Sequence, residues 1–122
     1  MTTKAIDGPA HPNGMTRLEI AVENLDVESA RAVLGQGADP NRPGYKGFRP
    51  LQRAVDCEIQ GAIAHYDATG EKMRPRADMT RLLLEHGADP KAQDDEGHSA
   101  LGLASLFRHM DAVELMKQYG EA

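Results

Sequence analysis

Apolar residues recur at helical spacing in short runs that are separated by polar breaks. Leu18 and Val22 belong to one such run, and Ala30 and Leu34 belong to the next, after a break at 24–26. Apolar positions three and four residues apart share one face of a helix, so this stretch predicts two short helices. Asp26 is predicted to cap the second helix by accepting a hydrogen bond from the first free backbone amides of that helix, and Gly37 is predicted to end the helix in a left-handed conformation.

The same pattern returns further along the chain, and it defines the fold class. Met79, Leu83 and Leu84 repeat the spacing, as do Val113 and Met116 in the last part. No segment predicts a convincing strand. The sequence therefore predicts an all-α protein built from short helices, each too short to be stable unless it packs on its neighbours.

A fixed period connects these helices. Gly-Ala-Asp-Pro at 37–40 recurs at 87–90, and a second marker, a glycine that opens a motif ending on leucine, stands at Gly14, Gly47 and Gly97. Gly14 precedes the closing glycine of its copy by 23 residues, whereas in the middle copy this separation is 40 residues. One insertion of 17 residues in the middle copy reconciles both series with a 33-residue repeat.

These units resemble the ankyrin repeat, a 33-residue turn and helix pair that opens on Thr-Pro-Leu-His and closes on Gly-Ala-Asp. The resemblance covers roughly residues 12–122. Its opening leucine is matched by Leu18, Leu51 and Leu101, while Glu19, Gln52 and Gly102 replace its histidine. The resemblance implies a helical solenoid of about three units, at 14–43, 44–93 and 94–122, behind a flexible leader at 1–13.

The insertion, near 60–76, continues the helical pattern of the middle unit. Apolar residues at 54, 55, 59, 62 and 63 keep the spacing, so the first helix is predicted to run to about Tyr66 and to be followed by a loop at 67–76. Ile59, Ile63 and Tyr66 would then lack cover from the stack, which predicts an apolar patch that faces a partner or packs on the protein itself. The alternative is a surface insertion that the fold merely tolerates.

The charge balance narrows the choice of ligand. Fourteen basic and nineteen acidic residues give a net charge of −5, which disfavours nucleic acid and favours a partner protein that is neutral or basic at its contact surface. Residues 1–13 lack the apolar run of a signal peptide or membrane span. Cys57 is the single cysteine, which argues against a disulfide framework. We therefore expect a cytoplasmic protein that is a monomer when free and does not bind membranes.

The resemblance implies that a partner would be held on the turn tips and on the inner face of the first helices. Tyr45 and Phe48 place two of five aromatic residues on one turn, and aromatic residues dominate many interfaces. Acidic residues nearby would meet Lys or Arg. We call the insertion near 60–76 the inserted arm. The predicted partner-binding residues are Met15, Tyr45, Lys46, Phe48, Asp56, Asp95, Glu96 and His98, with Ile63 and Tyr66 on the inserted arm. Further matching positions are Pro12, Asn13, Glu23, Asn24, Cys57, Leu106 and Phe107.

Catalytic and metal chemistry find little support in the sequence. Cys57 and His65 lie eight residues apart on one predicted helix, about 12 Å at 1.5 Å per residue, too far for a nucleophile and its base. His86, His98 and His109 lack the spacing of a zinc site, and no glycine-rich phosphate loop follows a strand. The expectation is a non-enzymatic binding module without cofactor or metal.

The function expected from this reasoning is an adaptor or inhibitor of one partner protein. A sharper form, based on likeness in fold and size to small bacterial ankyrin proteins, is an immunity protein that neutralises a cognate toxin or effector. The alternatives are a structural protein whose arm packs on a second copy, and an enzyme with an unrecognised site.

Overall fold

Six α-helices account for most of the chain that the structure, a computed structural model, describes: Gly8 and residues 15–120. The helices are α1 (Arg17–Glu23), α2 (Val27–Gly35), α3 (Pro50–Thr69), α4 (Asp78–Glu85), α5 (Ala100–Leu106) and α6 (Met110–Gly120), with a 3₁₀ turn at Tyr45–Gly47. No strand occurs in these described parts, so the all-α prediction is confirmed. The leader predicted at 1–13, with Pro12 and Asn13, lies outside the described residues apart from Gly8.

The helices form two layers. α1, α3 and α5 pack side by side in one layer, α2, α4 and α6 form the other, and each pair is joined across the layers. Ala54, Ala104 and Ala112 are fully buried, and such small side chains let neighbouring helices approach closely. This arrangement confirms the predicted helical solenoid.

The helix ends are capped largely as the sequence predicts. The Asp26 carboxylate accepts a hydrogen bond from the Ser29 amide at 3.2 Å and caps α2. The Ser29 hydroxyl also donates to Asp26, and these hydrogen bonds lower the pKa of the Asp26 carboxyl. Gly37 has a φ of 99°, in the left-handed region that was predicted to end the helix.

The residues that replace the ankyrin histidine make hydrogen bonds of their own. The Glu19 carboxylate accepts from the Thr16 amide at 2.9 Å, which closes a capping box at the start of α1. The Gln52 side chain accepts from the Arg49 amide at 2.7 Å and donates to the His98 carbonyl. Gln52 thereby ties the middle unit to the last one.

The closing motifs are also linked from unit to unit. The side-chain amide of Asn41 donates to the Gly87 carbonyl at 3.0 Å, and its oxygen accepts from the Asp89 amide at 2.7 Å. One side chain of the first Gly-Ala-Asp-Pro-Asn segment therefore holds the second. These two Gly-Ala-Asp-Pro segments therefore meet where neighbouring units stack.

α3 confirms the long first helix of the middle unit and corrects two details. It ends at Thr69, so the predicted start of the loop at 67 is wrong by three residues. Residues 67–69 include neither glycine nor proline, and the Thr69 hydroxyl donates to the His65 carbonyl at 2.8 Å. Ile59 was predicted to lack cover, but it is only 7% exposed. It lies one turn beyond Val55, on the face that joins the common core.

Candidate functional site

The first candidate surface is a recess of about 320 Å³ where the turns of the middle and last units meet the first helices. We call it the turn recess, and its lining residues are Lys46, Phe48, Arg53, Asp94, Glu96, His98 and Leu103. Four of the predicted partner-binding residues, Lys46, Phe48, Glu96 and His98, are thus brought together in one place.

Asp94 organises the turn of the last unit. Its carboxylate accepts hydrogen bonds from the amides of Glu96 and His98, each at 2.9 Å, and its own amide donates to the His98 carbonyl. The backbone hydrogen bond from His98, followed by that from Glu96, lowers the pKa of the Asp94 carboxyl. Asp94 therefore keeps a fixed negative charge at neutral pH.

Backbone contacts hold the two turns against each other. The Asp95 amide donates to the Lys46 carbonyl at 3.0 Å. Gly47 has a φ of 75°, and a Cβ at this position would lie 2.6 Å from Asp95 Oδ1. Glycine is therefore needed here both for its left-handed backbone and for the close approach of the neighbouring turn.

Arg53 forms the helical wall of the turn recess. Its guanidinium lies 5.6 Å from the centroid of the Phe48 ring, a cation–π contact, and its Nη1 lies 2.7 Å from Glu23 Oε2. A second carboxylate, that of Glu19, lies 3.9 Å away. The carboxylates of Glu19 and Glu23 balance the charge of Arg53. The other charges at the turn recess are one cation, Lys46, and the three carboxylates of Asp94, Asp95 and Glu96, so this end of the stack is acidic.

The other predicted residues of this surface lie around the turn recess or apart from it. Tyr45 begins the 3₁₀ turn, Asp56 is exposed on α3, and Asp95 is exposed beside the recess. Met15 is half-buried just before the Thr16 cap and does not line the turn recess. Phe107 was matched to the same surface as the turns, but its side chain lies in a second recess, together with Ile63 and Tyr66.

The second candidate surface, which we call the arm groove, lies beside the inserted arm and has a volume of about 380 Å³. Its floor is a stripe of α3 at positions 59, 62, 63 and 66, the spacing of one helix face. The lining residues are Ile59, Ala62, Ile63, Tyr66, Lys72, Met73, Pro75, Phe107 and Arg108. The predicted patch at Ile63 and Tyr66 therefore continues onto the loop after α3 and the end of α5.

Sequence reasoning missed several lining residues, for two different reasons. Arg53 shares a partly exposed helix face with Asp56 and Cys57, so the helical pattern contained a signal for it. Lys72, Met73 and Pro75 belong to a loop without periodicity, and no local pattern relates them to Arg108.

A buried polar cluster also escaped the sequence analysis. Glu58 and His109 are fully enclosed, and His109 Nε2 lies 2.9 Å from Glu58 Oε1. The Thr80 hydroxyl donates to the same carboxylate at 2.6 Å, and the Thr80 amide donates to it at 3.2 Å. These contacts connect the arm helix α3 to α4 and to the start of α6, so the cluster fixes the base of the arm.

Catalytic chemistry is not favoured at the one cysteine. Burial, and then the negative charges of Glu23 and Asp56, raise the pKa of the Cys57 thiol to about 11. The thiol is therefore protonated at neutral pH and is a poor nucleophile.

Within the described ranges, no group of three or more His, Cys, Asp or Glu residues is placed to hold a metal ion. Among the same residues, no helix combines the length and apolar character needed to cross a bilayer.

The two-layer stack and its open recesses define a helical-repeat protein, and comparison with known proteins identifies the repeat. A family model for ankyrin repeats (many copies) matches residues 73–116. The chain is 35% identical over 98 residues to potassium channel AKT1 of Oryza sativa subsp. indica. It is 32% identical over 105 residues to NF-kappa-B inhibitor alpha of Homo sapiens. These alignments cover 80% and 86% of this chain but only 8% and 30% of the relatives.

A solved structure has the same fold. An ankyrin repeat domain from Acinetobacter baumannii AYE superposes with a TM-score of 0.69 at 24% identity, covering 86% of this chain and 47% of that one. Taken with the sequence matches, this shows that the chain is an ankyrin-repeat protein. Ankyrin repeats are generally non-catalytic modules for protein–protein interaction.

Proposed function

We propose that this chain binds a partner protein through the turn recess, and that the partner contributes Lys or Arg side chains to the contact. The observation that carries the proposal is the cluster of Asp94, Asp95 and Glu96 beside the half-buried ring of Phe48. An acidic rim around an aromatic anchor favours a basic, partly apolar segment. The net charge of −5 supports the same choice, because it speeds encounter with a basic protein.

The geometry of the turns supports binding without rearrangement. Asp94 is held by two backbone amides, and the Asp95 amide is fixed to the neighbouring turn. Groups that are ordered before binding lose little conformational freedom in the complex, which favours affinity. The turn recess is therefore suited to a partner that docks onto a rigid surface.

We further propose that binding inhibits the partner, and that the partner is a toxin or effector met in the cytoplasm by a monomeric chain. The likeness to a relative named as an inhibitor of NF-kappa-B supports an inhibitory role. A co-expression assay tests it: cells that produce the captured partner should survive only when this chain is also present. Survival without the chain would contradict the inhibitory role.

Affinity capture with charge-reversed variants tests the binding surface. The variant Asp95→Lys/Glu96→Lys places two cations on the rim of the turn recess. The matched control Glu85→Lys/Glu114→Lys makes the same charge change at exposed positions of α4 and α6. We expect the native chain and the control to recover the same partner, and recovery by the recess variant to fall about tenfold or more. Equal recovery by both variants would show that the turn recess is not the contact surface.

A further inference from the structure

The arm groove exposes more apolar surface than the stack requires. Ile63 is 47% exposed, Tyr66 is 50% exposed and Phe107 is 58% exposed, although all three belong to one continuous depression. Adjoining apolar side chains that stay in water in this way characterise surfaces that another molecule covers. Ile59, at the inner end of the same stripe, is buried and anchors the floor to the core.

The charges that line the arm groove are all positive. Lys72 and Arg108 contribute to the lining, and no carboxylate of the described residues does. The two arginines nearest to Lys72 in sequence are already paired, Arg74 with Asp111 at 3.7 Å and Arg76 with Asp78 at 2.7 Å. Lys72 and Arg108 form no ion pair within the described part of the chain. On a protein of net charge −5, the arm groove is therefore a local basic site.

We infer that the arm groove binds an amphipathic helix of a partner protein, whose apolar stripe lies on Ile63, Tyr66 and Phe107 and whose flanking Asp or Glu side chains meet Lys72 and Arg108. The stripe on α3 has the spacing of a helix face that normally packs against a second helix. Docking of a helix into an apolar groove is a common mode of peptide recognition. This site differs from the turn recess in position and in charge, so it selects an acidic segment.

A second copy of the chain fits the arm groove less well. Two-fold contact of identical arms would place the grooves face to face and bring Lys72 and Arg108 of each copy near those of the other. Opposed like charges destabilise such a contact. Charge complementarity therefore favours a partner with carboxylates over self-association.

Selection from a random peptide library displayed on phage, with the full native chain as target, tests this inference. Enriched peptides are expected to carry apolar residues at helical spacing with Asp or Glu beside them. Their affinities are then measured by fluorescence anisotropy on the native chain and on four variants. The groove variants are Ile63→Ser and Lys72→Glu/Arg108→Glu. The matched controls are Ala64→Ser, on an exposed part of α3, and Arg31→Glu/Arg81→Glu, on exposed parts of α2 and α4.

We expect each groove variant to weaken peptide binding about tenfold or more and each control to change it by about twofold or less. The variant Asp95→Lys/Glu96→Lys should bind these peptides as the native chain does, which separates this site from the turn recess. Enrichment of basic peptides, failure to enrich any peptide, or equal affinity for the groove variants would overturn the inference. A native dimer in sedimentation that Ile63→Ser dissociates would also overturn it, since a second copy would then occupy the groove.

Discussion

The buried cluster of Glu58, Thr80 and His109 gives the sharpest test of how the arm is held. The variant Glu58→Ala removes the acceptor of three hydrogen bonds, at 2.6, 2.9 and 3.2 Å, and leaves the Thr80 amide, the Thr80 hydroxyl and His109 Nε2 without a partner. A buried donor left without its partner costs about 1–3 kcal/mol, and three such donors near the lower end of that range give an expected loss of about 3–5 kcal/mol. Domains have a total free energy of unfolding of only about 5–15 kcal/mol, so the loss should be plain.

Urea unfolding followed by far-UV circular dichroism measures this loss, and thermal unfolding gives a second value. At about 4 °C per kcal/mol, the expected decrease in Tm is roughly 12–20 °C. Glu114→Ala, at an exposed position of α6, is the control and should change the free energy of unfolding by no more than about 0.5 kcal/mol.

A double-mutant cycle separates the interaction from the loss of side-chain volume. Because Glu58 and His109 share one contact, removing both should cost less than the sum of the two single losses, with a coupling of about 1–3 kcal/mol. Additive losses for Glu58→Ala and His109→Ala would refute the reasoning. So would a Glu58→Ala variant as stable as the Glu114→Ala control.

Two further predictions concern Cys57 and the turn glycine. The pKa of the Cys57 thiol is raised from 9.0 to about 11, so iodoacetamide should alkylate it slowly at pH 8 in the folded chain, and rapid labelling of native protein would contradict this. The free energy of unfolding should decrease as the pH rises from 9 to about 11, because the thiol of the unfolded chain loses its proton first. In urea titrations, Gly47→Ala should lower the free energy of unfolding by roughly 1–3 kcal/mol. Gly61→Ala in α3, where an added Cβ meets nothing within 4 Å, should instead raise it by up to about 1 kcal/mol. Effects of the same sign would contradict the geometry.

The fold was accessible from the sequence because its signals are local and repeated. Helical spacing within each run predicted the elements, the 33-residue period predicted their stacking, and Asp26 and Gly37 predicted two helix ends. The structure confirms these features because a repeat protein reuses the same short-range rules in every unit.

The failures are at positions where burial depends on distant parts of the chain. Ile59 was expected to lack cover from the stack, but it belongs to a common core to which all six helices contribute residues. A charged residue such as Glu58 is ordinarily expected at the surface. Its partners Thr80 and His109 are 22 and 51 residues away in sequence. No helical pattern indicates that a carboxylate, a hydroxyl and an imidazole meet in one enclosed place.

For the binding surfaces too, local patterns identified some residues and missed others. Lys46, Phe48, Glu96 and His98 were found because a motif marks the turns, while Ile63 and Tyr66 were found from an apolar excess on one helix. Their separation into two surfaces of unlike charge was not predicted, because Lys72 and Arg108 carry no signal until the chain is folded. The partner-binding role of all ten residues stays a prediction that the variants above can test.

The length of α3 sets a spacing between the two surfaces. Arg53 borders the turn recess and Ile63 borders the arm groove, so the ten residues between them correspond to about 15 Å along one rigid helix. A ligand chain that carries both a basic segment and an acidic amphipathic helix needs only about five extended residues to span this distance. With a connection that short, binding at one surface would hold the second segment at millimolar effective concentration. Bivalent ligands of graded linker length would therefore read out the distance that the 17-residue insertion creates.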